Sequence, residues 1–487
     1  MKKKSLGINA VLNSFQSFLN LIFPLITFPY VARVLSVDGV GKYNFANSIV
    51  SYFILLAALG ISTFAVREGA KLRNDRKAIS EFASKVFTIN IVSASASYLL
   101  LFLLLTFTPS LHQYVSAILI FSVQIFFTTI GTDWVYIIFE EYGYITLRNI
   151  FFKIISIVML FLFVRHSNDY LIYASITVFA SSGSYVLNFF HAKKFCDIKI
   201  NFNIPWKNYL IPIFTIFAST IAIQIYVNSD MTLLGLLKDD YSVGIYSTSV
   251  KIYQIAAQML TAMLAVTIPR LALLMGQGKL EEYNEVLNKL INVLMLIVLP
   301  GTVGLFFLSK NVILIIAGSK YINSTASLKI LCFAILGSAL STVFNQCILI
   351  PTKREKKTLI SSSISALFNI GLNFILIPLF AEKGTALTTV LSEFLMMSLN
   401  FYFSRDITEF VFKNKNFWHN LMIILIGCLG ILISCILCQL IFKQIFLNLI
   451  SSVLLSTLVY ISIVVGLKNS IAIDLISNIK YRLRLIR

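Results

Sequence analysis

Residues 40–66 read VGKYNFANSIVSYFILLAALGISTFAV. As a helix this run rises about 40 Å, more than the roughly 30 Å hydrocarbon core of a bilayer. Lys42, near its start, is its one charged side chain. Asn44, Asn47, Ser48 and Ser51 recur at steps of three and four, which gathers them on one helical face. A polar face cannot look at lipid tails, so it must look at other helices or into a hydrated cavity. The expectation is a membrane-spanning helix whose inward face is built from amides and hydroxyls.

The pattern extends outward in both directions. Apolar stretches long enough to span fall at 8–34, 40–66, 82–107, 112–138, 144–165, 169–191, 207–237, 242–270, 288–308, 325–351, 357–381, 384–405, 417–442 and 444–467. Composition agrees: 58% of residues are hydrophobic and 13% charged, against about 45–50% and 25% in an ordinary soluble domain. Mean hydropathy is +0.85. The expected class is an all-α integral membrane protein of about 14 transmembrane helices. Lys2, Lys3 and Lys4 resemble the start of a signal peptide, but Asn13, Gln16 and Asn20 interrupt the apolar run and no small-residue cleavage site follows. The first stretch therefore reads as an uncleaved span.

The formal net charge is +19, which in a soluble chain would suggest nucleic acid. Placing the N-terminus in the cytoplasm puts 29 Lys/Arg on inside segments and 9 on outside loops. That asymmetry is the positive-inside bias, and it supports an even number of spans with both termini cytoplasmic. The charge is thus a topology signal, and no nucleic-acid partner is expected. Segment 279–290 places Leu280, Tyr283, Leu287 and Leu290 on one face, and the tail 471–487 mixes Ile and Leu with Lys480, Arg482, Arg484 and Arg487. Both read as interfacial pieces drawn to membrane lipids.

A weak repeat organises the spans. Val40-Gly41-Lys42-Tyr43 returns as Val243-Gly244-Ile245-Tyr246, and Thr146-Leu147 as Thr358-Leu359. Spans one to six then match seven to twelve in the same orientation, the mark of a two-lobe transporter. The expected boundaries are an N-lobe at 1–206, a C-lobe at 207–406, two further spans in 407–467, and a basic cytoplasmic tail at 468–487.

Polar faces occur in both halves: Asn13 and Asn20 in span one, Asn47 in span two, Gln224 and Asn228 in span seven, Gln254 and Gln258 in span eight, Asn369 and Asn373 in span eleven. They are candidates to line a cavity; the alternative is interhelical hydrogen bonding. Apart from charges within the first or last five residues of a stretch, five ionisable residues lie within spans: Asp133, Lys153, Asp230, Lys251 and Glu393. Such charges need a partner or water. Lys153 and Lys251 each lie nine residues from a span start, near the midplane. One cation per lobe suits an anionic substrate; the alternative pairs them with Glu393 or Asp230. Glu393, Asp133 and Asp230 are candidates for ion coupling, although Asp133 and Asp230 lie close enough to span ends for hydration to suffice. Arg33, Arg67 and Arg270 stand at span mouths, where they report topology or guide a phosphate.

Short motifs then align in order: Phe28-Pro29-Tyr30-Val31-Ala32-Arg33-Val34-Leu35, Gly39-Val40-Gly41-Lys42-Tyr43, Arg67-Glu68, Asp133-Trp134, Tyr144-Ile145-Thr146-Leu147-Arg148-Asn149, Phe163-Val164-Arg165 with Asp169, and Asn373, Pro378, Gly384-Thr385-Ala386 and Glu393. The chain resembles bacterial polysaccharide repeat-unit (O-antigen/capsule) flippases. These form the polysaccharide transporter branch of the superfamily that also holds multidrug extruders and lipid II flippases. The resemblance implies a twelve-span, two-lobe core with two extra spans, in the bacterial cytoplasmic (inner) membrane. It implies export of an undecaprenyl-diphosphate-linked oligosaccharide by alternating access, with a polysaccharide polymerase as a further partner.

A drug or cation antiporter of the same superfamily would need a more acidic or aromatic cavity than these cationic, amide-rich faces. A membrane polymerase or glycosyltransferase would need a sizeable outward loop or acidic catalytic pairs; the longest outward loop, between spans nine and ten, holds no Asp or Glu. No Walker motif and no metal-ligand spacing occur, so no cofactor or metal is expected. The six Cys sit in apolar runs or a loop and read as packing residues.

Overall fold

The structure, a computed structural model, describes residues 23–477. Among them every regular element is helical. The helices are α1 (Phe23–Val34), α2 (Val37–Ala58), α3 (Ile61–Leu72), α4 (Arg76–Phe107), α5 (Val115–Gly131), α6 (Asp133–Ile138), α7 (Tyr142–Phe163), α8 (Tyr170–Ser182), α9 (Tyr185–Ala192) and α10 (Trp206–Leu237). Then follow α11 (Asp240–Thr261), α12 (Leu264–Gly276), α13 (Leu280–Ile316), α14 (Ser324–Thr342), α15 (Glu355–Lys413), α16 (Lys415–Ile441) and α17 (Ile445–Gly466). Ten helical stretches among the described residues are long and apolar enough to cross a membrane, or twelve if two bent pairs each count as one span. One of the ten, α15, contains two expected spans: its backbone breaks at Ala381, φ 49° and ψ −127°. The fourteen expected stretches are compatible with this arrangement, the first of them lying largely outside the described residues.

The chain divides into two compact units, one up to Gly244 and one from Ile245 onward. In the first, α2 packs on α4, α5, α8 and α10. Ser36 caps α2, its Oγ accepting from the Gly39 N–H at 3.1 Å, as a short oxygen-bearing side chain does at a helix start. Leu59 and Gly60 end α2 with φ of 44° and 71°. Only glycine takes that conformation without strain, and Gly60 also has no room for a Cβ, which would meet Ile216 Cγ2 at 2.7 Å. The expected span 40–66 is therefore two helices, α2 and α3, joined at this corner. Phe64, Phe82, Trp134 and Tyr136 fill the core beneath it.

The repeat seen in the sequence reappears as a reciprocal contact. A Cβ on Gly41 would lie 1.8 Å from the carbonyl oxygen of Asp240, and one on Gly244 would lie 2.2 Å from that of Val37. The offset that carries Gly41 to Gly244 (203 positions) also carries Val37 to Asp240. Each helix start thus presents a glycine to the other's backbone.

In the second unit, Leu287, Ile291, Leu294 and Ile335 form the centre of the core, joined by Ile423 and Ile424 of α16. Here the structure differs from the expectation of a separate surface helix at 279–290. That segment is the start of α13, which runs unbroken for 37 residues. Tyr283, Leu287 and Leu290 are buried, while Leu280 is exposed, so the apolar face docks on protein. Tyr283 donates its hydroxyl to the Cys347 carbonyl at 2.8 Å, inside the π-helical segment Val343–Leu349. The same helix continues past the expected span end at 308 and stops at Ile316. All six cysteines are free and buried.

Candidate functional site

The motif loops are explained by local bonding. Asp169 accepts the backbone N–H groups of Arg165 at 2.9 Å and His166 at 2.7 Å. These bonds hold its carboxyl below the usual carboxylate range. Tyr30 donates to the Val164 carbonyl at 2.8 Å, and the Ser36 N–H to the Ser167 carbonyl at 3.0 Å. The turn before α8 is thereby fastened to the corner between α1 and α2. Gly384 has the Leu376 carbonyl oxygen 2.3 Å from where a Cβ would sit, so the chain folds close upon itself around the break at Ala381.

Asp133 is not left to interfacial hydration. Arg148 on α7 donates to its Oδ1 at 3.2 Å. Arg148 also bonds Asn188 of α9 and, through Nη2 at 2.9 Å, Asn149. Asn188 donates to the Gly131 carbonyl at 2.8 Å. The Arg148 side chain is 4% exposed and that of Asp133 35%. The Tyr144 and Tyr185 rings each have their centroid 5.9 Å from the guanidinium carbon, within cation–π range. Neither Arg148 nor Asn188 is among the site residues expected from the sequence; the signal available for the arginine was Arg148-Asn149 in the motif.

Polar faces of α2 and α10 meet. Thr232 donates to Ser48 Oγ at 3.0 Å and lies 3.3 Å from the Tyr52 hydroxyl. Asn228 donates to the Gln224 carbonyl at 3.1 Å, and Gln224 and Asn47 are half-buried. Asp230 is buried. Lys153 is half-buried, with Nζ 5.6 Å from the centroid of the Phe23 ring. Arg33 is exposed. Arg67 is exposed and pairs with its neighbour Glu68 at 2.9 Å. Asn13 and Asn20 lie outside the described residues.

In the second unit, Lys251 is half-buried on α11, one and two turns before the exposed Gln254 and Gln258. Among the described residues it has no carboxylate partner, so the expected alternative of an ion pair with Glu393, in the same unit, is not formed. Its own face of α11 carries amides and hydroxyls. Asn369 and Asn373 are buried and bonded to each other at 3.1 Å. Glu393 is half-buried, and its backbone carbon and Cβ lie 3.2–3.3 Å from where a Cβ on Gly337 would sit. Arg270 is exposed on α12. No cluster of His, Cys, Asp and Glu suited to a metal occurs among the described residues.

A model of the family described as "Polysaccharide biosynthesis protein" matches residues 6–275. A protein of Escherichia coli (strain K12) named "Putative O-antigen transporter" is 24% identical over 273 residues, 55% of this chain and 66% of that protein. The match therefore spans just under two thirds of that relative. "Capsular polysaccharide biosynthesis protein CapF" of Staphylococcus aureus is 22% identical over 318 residues, 63% of this chain and 76% of that protein. Among solved structures, the lipid II flippase MurJ in an inward closed conformation has a TM-score of 0.71 at 20% identity, covering 98% of this chain and all of that one. An inward-facing multidrug resistance MATE family transporter of the MOP superfamily has a TM-score of 0.59 at 13% identity, covering 80% and 96%. At these identities the structural likeness speaks to the fold.

Proposed function

The chain belongs to the polysaccharide biosynthesis protein family, and from that premise we propose that it is a flippase for a polyprenyl-diphosphate-linked oligosaccharide. It carries the repeat unit from the inner to the outer leaflet of the bacterial cytoplasmic membrane, for assembly of a capsule, O-antigen or similar surface polymer. Both termini face the cytoplasm. The fold shared with the lipid II flippase MurJ supports this reading.

The observation that carries it is Lys251: a half-buried cation on a helix face that also bears Gln254 and Gln258, with no carboxylate partner among the described residues. Such a cation is costly within a bilayer unless it meets water or an anion. The diphosphate supplies that anion. Within the second unit the amides of α11 beside Lys251 suit sugar hydroxyls; within the first, Lys153 and the amides of α2 and α10 offer the same chemistry. Transport proceeds by alternating access. Glu393, Asp133 and Asp230 are the candidates for ion coupling.

The test is flipping of a lipid-linked oligosaccharide in vesicles containing the purified protein. Lys251→Ala is expected to slow flipping by about tenfold or more, one lost charge-assisted contact, and Lys251→Arg to keep part of it. Glu393→Gln is expected to flip without responding to a pH gradient. Normal flipping by Lys251→Ala at equal protein density removes Lys251 from the site, and a retained gradient response in Glu393→Gln removes coupling from Glu393.

A further inference from the structure

Between α12 and the first turns of α13 lies a cavity of about 500 Å³, within the range of small-ligand sites. The two helices are joined by a turn of three residues, Gln277 to Lys279. Positions 270, 285 and 289 therefore lie nearer that turn, and 263, 266 and 293 farther along the groove. The three charged wall residues, Arg270, Glu285 and Lys289, are among the positions nearer the turn, with Val286 beside them; farther along, Met263, Val266 and Val293 give an apolar wall. Val266 is 81% exposed, as a side chain facing lipid would be.

The charged residues do not consume one another. Arg270, Glu285 and Lys289 are all exposed, and none forms an ion pair among the described residues. Glu285 and Lys289 stand four apart, the spacing at which Glu and Lys ordinarily pair on a helix, yet here they stay separate on the cavity wall. Two cations against one carboxylate leave the lining one positive charge in excess. A ligand that matches has one net negative charge at the turn end and an alkyl chain along the groove.

We propose that this groove holds one anionic glycerophospholipid of the surrounding bilayer, with its phosphate between Arg270 and Lys289 and an acyl chain along Met263, Val266 and Val293. A zwitterionic lipid would leave the excess charge unbalanced. The lipid bridges α12 to α13, filling a gap that no protein side chain fills. This site is separate from the Lys251 face, and its occupancy is measured without transport, so it stands or falls independently of the flippase reading.

The experiment is native mass spectrometry of the full-length protein in detergent, titrated with phosphatidylglycerol, phosphatidylethanolamine and phosphatidylcholine. Wild type is expected to retain one phosphatidylglycerol in preference to either neutral lipid. Arg270→Gln with Lys289→Gln is expected to weaken that retention by more than about tenfold, since each cation near an anionic headgroup contributes roughly a factor of five. Val293→Trp, which fills the groove and keeps both cations, is expected to lower it as well, and it covers the case in which the double variant fails to fold. Glu285→Gln, which removes the opposing charge, should leave retention equal or stronger. Retention unchanged by both the double variant and Val293→Trp overturns the proposal. So does binding of phosphatidylethanolamine as tight as phosphatidylglycerol, or displacement of phosphatidylglycerol by an equimolar polyprenyl diphosphate, which would make the groove a substrate site.

Discussion

A guanidinium inside a helical bundle needs partners on several sides, and Arg148 has them. Asp133 supplies the charge, Asn149 and Asn188 accept further N–H groups, and Tyr144 and Tyr185 flank the group. Removing one member of a buried ion pair commonly costs about 3–5 kcal/mol, because the other charge is stranded. Arg148→Ala should therefore lower the melting temperature in detergent markedly. Arg148→Lys should recover little, because a single ammonium lacks the planar fork that reaches several acceptors. Replacing both partners, Arg148→Met with Asp133→Leu, should be more stable than Arg148→Ala alone; if it is not, the pair is not what the structure leans on. The sequence showed an acid within a span and an arginine at a span start, but nothing in it linked them. Their separations in the chain, 15 positions to Asp133 and 40 to Asn188, are set by tertiary packing, and no helical period reports them. Lys251 was legible because its face is local: Gln254 and Gln258 follow it on the same helix.

Among the elements, helix existence and polarity were readable, while breaks and continuations were not. The corner at Leu59 and Gly60 depends on Ile216, more than 150 positions away. The union of 279–290 with span nine depends on a docking surface for Tyr283 and Leu287, which turns a face that could lie on lipid into core. The repeat, by contrast, was visible as four residues, and the structure gives those residues a reason. Gly41 and Gly244 each face a carbonyl oxygen too close for any side chain, and backbone cannot yield as a side-chain tip can. Gly41→Ala and Gly244→Ala should each sharply reduce the amount of protein that accumulates in membranes. Gly304→Ala is the control: nothing lies within 4 Å of its Cβ position, and alanine favours helix over glycine. Normal accumulation of Gly41→Ala would mean that α2 and the start of α11 can part without loss.

At the scale of the whole molecule, the cation asymmetry makes the orientation testable. Positions 75, 110, 197 and 239 are all exposed, so reporters fused there have room. Fusions after 75 and 197 should report cytoplasm, and after 110 and 239 the exterior. An exterior signal at 75 would invert the assignment, and with it the leaflet from which substrate is taken. The class of protein and its span pattern were open to sequence reading because a bilayer punishes unpaired backbone and charge over every stretch of some twenty residues. The packing of helices within each unit answers to side-chain shape instead, which no window average records. One feature of that packing bears on how the molecule can be probed. The six native thiols are buried, and Cys196, the one in a loop, is 0% exposed with its thiol pushed up to about 12 by burial. A membrane-impermeant maleimide added to whole cells should find no target on the unaltered protein. A cysteine placed at Ser110 or Asp239 would then be the lone label, and the wild-type sequence already serves as its own dark background.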